Sequence, residues 1–241
     1  MNRKAEPKVS IIIPAYNEEE TIERTVKSLL NQTYENYEIL VVDNNSKDRT
    51  KEIASKYVPT ITETKQGYIF AVKRGIKETN GEIVTICDAD SIYPSNWLET
   101  MMKSFRDENV VATYGSAKFY DAGTFMAFVS LVSYSVFLIV SRLLGLDNTA
   151  GFNFLFRRNA YEKVGGYDEN WKWGSPDIEF GKRLKKVGKV KLKMKAVMTS
   201  SRRFKKGGLL KTTKMFLSMW KKMLKNEKPT ISYNDYNKNR R

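Results

Sequence analysis

The apolar residues fall into short dense blocks separated by amphipathic stretches. Residues 8–17, KVSIIIPAYN, form an unbroken apolar run that ends at Pro14 and then turns polar. Residues 18–32 follow with Ile22, Val26, Leu29 and Leu30 at helical spacing, and glutamates crowd the first turn, where the helix dipole favours them. The alternation continues with a buried strand at 37–43 (YEILVVD), a helix at 46–57, a short strand at 60–64, and a helix at 68–79 stopped by Asn80-Gly81. A fourth strand, EIVTIC, spans 82–87, and a helix opened by Pro94 covers 94–105. Strands apolar on both faces, alternating with helices, predict an α/β domain with a mostly parallel, Rossmann-like sheet flanked by helices.

Three of these strands end in polar clusters: Pro14-Ala15-Tyr16-Asn17, Asp43-Asn44-Asn45 and Asp88-Ala89-Asp90. In an open parallel sheet, ligands bind beyond the carboxyl ends of the strands, so the three tips describe one site. Asp88 and Asp90 are too close to share an edge without a positive charge between them. A hard divalent cation, Mn2+ or Mg2+, suits such a pair, because it takes few carboxylates and completes its shell with water and phosphate oxygens. The pair therefore implies a phosphorylated ligand.

Composition narrows the chemistry. The 241 residues are enough for one large domain with appendages. No histidine is present, which excludes Ser-His-Asp triads, HExxH zinc sites and the commonest general base. Acid–base work falls to Asp, Glu, Lys or Tyr. The single cysteine, Cys87, lies within an apolar strand and reads as a small buried hydrophobe. The first residues, MNRKAEPK, lack the apolar core of a signal peptide, which predicts a cytoplasmic location. Residues 182–241 carry 21 Lys/Arg against 2 Asp/Glu, whereas residues 1–181 carry 21 against 25, so a slightly acidic body bears a strongly basic last quarter. That asymmetry points to an anionic partner.

The chain resembles the inverting family 2 glycosyltransferases, which have the GT-A fold. The matching stretches are VSIIIPAYNEEETIERTVKSLLNQTY, YEILVVDNNSKDRT, EIVTICDADS, GFNFLFRRNAYEKVGGYDE and SPDIEFGKRL, in the family's order from Val9 to about Leu184. The resemblance implies a nucleotide-sugar donor. Pro14, Ala15, Tyr16, Asn17 and Glu18 would hold the nucleoside together with Asp43, which accepts from the base. Asp88 and Ala89 would face the ribose and sugar, and Asp90, with Asp88, the metal on the diphosphate. Asp177 would be the general base on the acceptor hydroxyl, with Glu179 in reserve. Lys65 is a further candidate on the donor side.

Two departures from the family stand out. Pro176 replaces the glutamate that usually precedes the base, and the late histidine ligand of many relatives is missing. In its region, MTSSRRFKKGG, Arg202 and Arg203 are expected to grip the diphosphate, since arginine binds phosphate in bidentate fashion.

Two stretches bear on a membrane. Residues 125–146 contain a single charge, Arg142, and are long enough to span a bilayer. A span there would separate Asp90 from Asp177, which must meet at one sugar. Ser130, Ser133, Ser135 and Ser141 fall on no single face; the stretch could be a buried helix, an interfacial one or part of a dimer contact, and the favoured expectation is a helix beside the acceptor site, partly exposed to lipid. Residues 208–226 place Lys211, Lys214, Lys221, Lys222 and Lys225 in one arc opposite a wide apolar face carrying Trp220, the pattern of a helix lying in the membrane plane. KVKLKMK at 189–195 puts four lysines on one strand face, facing anionic headgroups. The expected organisation is a catalytic domain over 1–200, divided into a nucleotide-sugar half at 9–120 and an acceptor half at 121–200, then a basic amphipathic segment at 201–226 and a polar tail at 227–241. The predicted activity is transfer of a sugar, with inversion, to a lipid-linked acceptor at the cytoplasmic membrane surface, with a soluble or polysaccharide acceptor next. A nucleotidyltransferase would use similar carboxylates. Nucleic acid is not an expected partner, because no zinc-finger spacing or RNP-type motif accompanies the lysines.

Overall fold

A computed structural model describes residues 6–171 and 174–229. Part of the N-terminal MNRKAEPK segment and residues 230–241 of the expected polar tail lie outside the described residues. An eight-stranded sheet runs in the order β3-β2-β1-β4-β7-β6-β8-β5. Its first half contains β1 (Val9–Ala15), β2 (Tyr37–Asp43), β3 (Thr60–Thr62) and β4 (Ile83–Ile86), all parallel. The second half is built from β5 (Ser91–Ile92), β6 (Val110–Phe119), β7 (Phe154–Arg157) and β8 (Lys189–Thr199). Here β7 is antiparallel to both β4 and β6, while β6 and β8 are parallel. Parallel pairing thus dominates the first half of the sheet, with the antiparallel β7 joining the halves.

Both faces of the central strands are covered, which is why they read as continuous apolar runs. On β1, Ile11 and Ile13 face α1 (Ile22–Leu30) and α4 (Trp97–Met102), packing with Val26, Leu29, Trp97 and Met101. Ile12 faces the opposite layer with Val72 and Ile76 of α3 (Tyr68–Lys77) and Phe180 of α7 (Pro176–Leu184). The fit there is close: a Cβ on Gly75 of α3 would lie 2.4 Å from Ile12 Cγ2. Cys87 is fully buried and its thiol pKa is pushed up to about 12 by burial, as a small core residue should behave.

Three helices start later than periodicity predicts, among them α4, which begins at Trp97 and not at Pro94. Residues 18–21 form a turn, with the Thr21 and Ile22 amides on the Glu18 carbonyl, before α1 begins. The helix expected over 46–57 shortens to α2 (Thr50–Ser55), because Asp48 Oδ1 takes the Thr50 amide at 3.0 Å and holds the preceding residues as a loop. Local side-chain bonding competes with the helix at these two places, through the Thr21 hydroxyl on the Glu18 carboxylate at 2.8 Å and Asp48 on the Thr50 amide.

The long apolar helix is α5 (Gly123–Leu143). Among the described residues it alone is long and apolar enough to cross a membrane, and only 6% of its most apolar window is buried. Its serines correct the expectation drawn from their spacing. Ser130 accepts from the Phe119 amide, Ser135 bonds Ser116 and Ser141 donates to the Leu146 carbonyl, so three of the four dock on the body, and Ser133 bonds only its own helix. The rest of its surface exposes nine large apolar residues, Phe125, Phe128, Val132, Val136, Ile139 and Leu143 among them. One flank held by β6 is incompatible with a helix wrapped in lipid on all sides.

The C-terminal α8 (Arg202–Gly207) and α9 (Leu209–Leu224) fold back on the body. Met219 and Met223 are buried, the Trp220 ring lies 5.5 Å from that of Phe137, and its indole N–H reaches Ser141 Oγ at 3.0 Å. Much of the apolar face read as membrane-facing is therefore spent on α5. Leu209, Leu210 and Leu217 remain exposed beside the lysines. On β8 the lysine alternation is interrupted by a register shift opposite Gly115/Ala117.

Candidate active site

Strand register brings the predicted tips together. Ala15 pairs with Asp43 and Ile12 with Ile86, so the ends of β1, β2 and β4 lie side by side. Asn44 N–H donates to the Ala15 carbonyl at 2.8 Å. Asn17 takes a positive φ of 54° and accepts from the Lys47 amide at 2.8 Å, tying the first tip to the second. Asp43 is buried; its Oδ2 accepts from the Ser46 amide at 3.2 Å, while its Oδ1 is buried with no hydrogen-bond partner. A buried acceptor left over in a native fold is costly unless a ligand supplies a donor.

Asn44 is an organiser that sequence reasoning passed over. Its amide donates to the carbonyls of Glu63 and Lys65, both at 2.9 Å, and its Oδ1 accepts from Gly67 N–H at 2.7 Å. It thereby holds the loop leading into α3. Lys65 itself turns outward, with its ammonium 3.8 Å from the Phe70 ring centroid and 3.6 Å from Glu169. It does not join the acidic tips.

Asp88 is half-buried and Asp90 buried. Thr25 of α1 donates to the Ala89 carbonyl at 2.9 Å, fixing the turn between them. The two arginines separate. Arg202 reaches into the site, where its guanidinium bridges Asp90 Oδ2 at 2.9 Å and the Glu18 carboxylate. Arg203 turns toward α9, 5.8 Å from the Phe216 ring centroid. Asp121, just past β6 and unremarked in the sequence, anchors the start of α8. It accepts from Ser201 N–H and Ser200 Oγ, both at 2.8 Å. Burial works against its charge, but these bonds outweigh it and hold its pKa below the usual carboxylate range.

Asp177 occupies the first turn of α7. Its Oδ1 accepts from two phenols, Tyr167 at 2.6 Å and Tyr68 at 3.0 Å. Its backbone carbonyl accepts from Thr149 at 2.7 Å. Burial pushes its pKa up to about 6; the two phenols pull it down and the charge of Asp88 adds to the rise. That last influence places the late carboxylate within electrostatic reach of the strand-tip pair. Glu179 is instead locked to Arg183 through both oxygens, at 2.6 and 2.7 Å, which leaves it a structural role.

The donor set for a metal is oxygen only. No group of three or more His, Cys, Asp or Glu side chains converges among the described residues. Two carboxylates with an arginine already resting on one of them fit a hard cation that draws its remaining ligands from water and phosphate. Asp88 and Asp90 would hold it.

An α/β sheet with carboxylates at its strand tips defines the class, and sequence comparison defines the family. Residues 10–165 match the model of glycosyl transferase family 2, more than half the chain, and the protein belongs to that family. Residues 141–206 also match a model described as the N-terminal domain of galactosyltransferase. Glycosyltransferase AglE of Haloferax volcanii is 29% identical over 191 residues, covering 76% of this chain and 62% of that protein. The dolichol-phosphate mannosyltransferase of Pyrococcus furiosus is 39% identical over 112 residues, 44% of this chain and 32% of the relative. The chain thus spans less than two thirds of the curated relatives it matches. Among solved structures, mannosyltransferase PcManGT from Pyrobaculum calidifontis, in complex with GDP-Man and Mn2+, superposes with a TM-score of 0.68 at 21% identity, over 88% of this chain and 64% of that one. Residues 1–349 of Staphylococcus aureus TarS in complex with UDP-GlcNAc give 0.65 at 19% identity, over 81% and 59%. The fold is therefore GT-A, as expected.

Proposed function

We propose that this protein transfers a sugar from a nucleoside-diphosphate sugar to an acceptor hydroxyl or phosphate, with inversion, and that the acceptor is lipid-linked. What supports the reading is that Asp177, held by two phenols, lies within electrostatic reach of Asp88 at the end of β4. Asp43 takes a donor from the base through its unmet Oδ1, and Asp90 with Asp88 faces the diphosphate. A divalent cation, when bound, neutralises the charge that develops on the leaving diphosphate. Arg202 contributes positive charge from α8 at the same place. From a hydroxyl acceptor Asp177 removes the proton on the face opposite the leaving group, whereas a phosphate acceptor attacks as the anion it already is; in either case a single displacement inverts the anomeric centre.

The lipid-linked acceptor and peripheral membrane placement rest on α5 and α9. Nine large apolar side chains lie exposed along α5, and Leu209, Leu210 and Leu217 are exposed beside the lysines of α9. At about 25 cal/mol per Å2, sinking even half-exposed Phe, Val and Leu side chains contributes roughly 1 kcal/mol each. Lysines near an anionic surface add about 1 kcal/mol apiece. Together these suffice for reversible binding at the cytoplasmic leaflet without a span. Two of the relatives carry names with lipid-linked substrates, dolichol phosphate and a diphosphoundecaprenol.

The test is a screen of nucleotide sugars with Mn2+ and with Mg2+, reading released nucleoside diphosphate with and without polyprenyl phosphate. Turnover that rises on adding the lipid supports the reading. Release of diphosphate instead would assign a nucleotidyltransferase, and turnover indifferent to lipid but raised by a soluble glycan would reassign the acceptor.

A further inference from the structure

The base lacks its usual acidic neighbour, since Pro176 opens α7 immediately before it. Something else must orient Asp177, and two hydroxyls from distant parts of the chain converge on it. Tyr68 is the first residue of α3, in the nucleotide half, and Tyr167 precedes α7 in the acceptor half. Tyr167 is fully buried, its ring 4.5 Å from that of Phe180 on α7, so its hydroxyl is held rigidly by the core. Tyr68 is half-buried and brings α3 to the same oxygen.

Both phenols donate to Oδ1, and the two bonds clamp the carboxylate plane. Oδ2 lies on the other side, toward Gly151. A Cβ at Gly151 would sit 3.0 Å from Asp177 Oδ2 and 2.5 Å from the Tyr68 hydroxyl. A side chain there would both crowd the free oxygen and push Tyr68 off Oδ1. The glycine's φ is not in the left-handed region, so space rather than backbone conformation is what it supplies.

We propose that Tyr167 and Tyr68 are positioning residues for the sugar-transfer step: by occupying Oδ1 they leave Oδ2 of Asp177 to the acceptor hydroxyl, and the missing side chain at Gly151 lets Tyr68 and the carboxylate close against the backbone there. The proposal rests on Asp177 being the base. In the step, the acceptor O–H proton passes to Oδ2 as the new glycosidic bond forms, and the bond between the anomeric carbon and the donor's diphosphate breaks with its electron pair leaving on that oxygen. Burial, with the charge of Asp177 adding to it, raises the Tyr167 phenol well above its ordinary pKa, so it stays a donor throughout the working range. The groups facing Asp177 are Tyr68 from α3, Tyr167 and Thr149 from the loops before α7, and the charge of Asp88 from the end of β4. Arg183, on α7, is held by Glu179 and by the carbonyls of Val164 and Gly166.

The experiment compares wild type with Tyr167→Phe, Tyr68→Phe, Gly151→Ala and Asp177→Asn. Donor affinity is read by calorimetry with UDP-glucose, UDP-GlcNAc and GDP-mannose in saturating Mn2+, and transfer to a GlcNAc-diphosphopolyprenol, whose accepting group is a sugar hydroxyl, is followed across pH 5–8. Each phenylalanine keeps its ring and loses only the hydroxyl. Both Phe variants are expected to bind donor within about two-fold of wild type. Their kcat should fall about 5- to 50-fold, and the acid limb of kcat/KM should move up by about 0.5–1 pH unit, because a hydrogen bond that favoured the carboxylate is gone. Gly151→Ala should lose transfer with donor affinity intact. A fall in kcat with an unmoved limb in both Phe variants, while Asp177→Asn is inactive, overturns the positioning role and leaves the base in place. Full activity in Asp177→Asn overturns the base and the positioning role together. Should Tyr167→Phe fold poorly, Tyr68→Phe, at a half-buried helix start, decides the matter.

Discussion

Replacing Asp177 with asparagine should make the protein at once inactive and more stable. The substitution keeps the shape and the acceptor oxygen for Tyr167 and Tyr68, and removes the charge. In the fold the carboxyl's pKa rises from 3.8 to about 6, chiefly through burial. At 1.36 kcal/mol per pH unit, ionising it in the fold costs roughly 3 kcal/mol, an upper figure since the side chain keeps some contact with solvent. The sign follows from proton linkage. Between pH 3.8 and about 6 the folded protein keeps a proton that the unfolded chain has released, so stability falls as pH rises through that window and the whole cost is present above it. A partly discounted cost of about 1–3 kcal/mol corresponds to a Tm gain of roughly 2–10 °C for a chain of this size. Thermal melts of wild type and Asp177→Asn at pH 4, 5, 6 and 7.5 should therefore diverge with rising pH and converge near pH 4. Transfer should drop about 100- to 10,000-fold, the range for removal of a general base. Equal or lower stability of the variant at pH 7.5, or retained transfer, would refute the reasoning.

Asp90→Ala should abolish metal-dependent donor turnover, measured as released nucleoside diphosphate, while the fold survives by circular dichroism. Arg202→Ala leaves the buried Glu18 and Asp90 carboxylates facing each other without their shared cation; a loss of roughly 2–4 kcal/mol is expected in urea unfolding, and Mn2+ should raise the Tm of this variant more than that of wild type. Changing Phe125 and Phe128 together to Ser should weaken cosedimentation with anionic vesicles about ten-fold or more and leave donor affinity unchanged, since both side chains are exposed on α5. Gly75→Ala forces a methyl to within 2.4 Å of Ile12 Cγ2 and should cost about 1–3 kcal/mol in the same unfolding assay.

The parallel half of the sheet, β1–β4, was legible because its physics is local. Runs such as SIIIPA and EILVVD are buried on both faces, and their polar ends sit at one edge because parallel strands in register must end together. Asp43, Asp88 and Asp90 could be found from that alone. Asp177 needed the family resemblance, since nothing in the spacing of SPDIEF brings it to β4. The phenols of Tyr68 and Tyr167 were invisible in sequence, because their shared partner is set by tertiary packing across 109 and 10 positions. Arg202 and Arg203 looked equivalent in the sequence. Helical geometry sends adjacent residues about 100° apart, so one enters the site and the other meets Phe216. Lys65 failed for a related reason: Glu169 and Phe70 offered it partners away from the tips. The apolar face of α9 was legible as amphipathic, but amphipathicity alone does not choose between bilayer and protein, and Phe137 with Ser141 of α5 took much of it.

The central claim is that the three strand tips bind a nucleoside diphosphate through a divalent cation. Isothermal titration of the protein with GDP and with UDP, each with Mn2+ and with EDTA, addresses it most directly. The account predicts binding of at least one of the two in the micromolar range with Mn2+, at least ten-fold weaker in EDTA, and abolished in Asp90→Ala. Heat-silent titrations with both nucleotides in Mn2+, or binding unchanged by EDTA and by loss of Asp90, would contradict it.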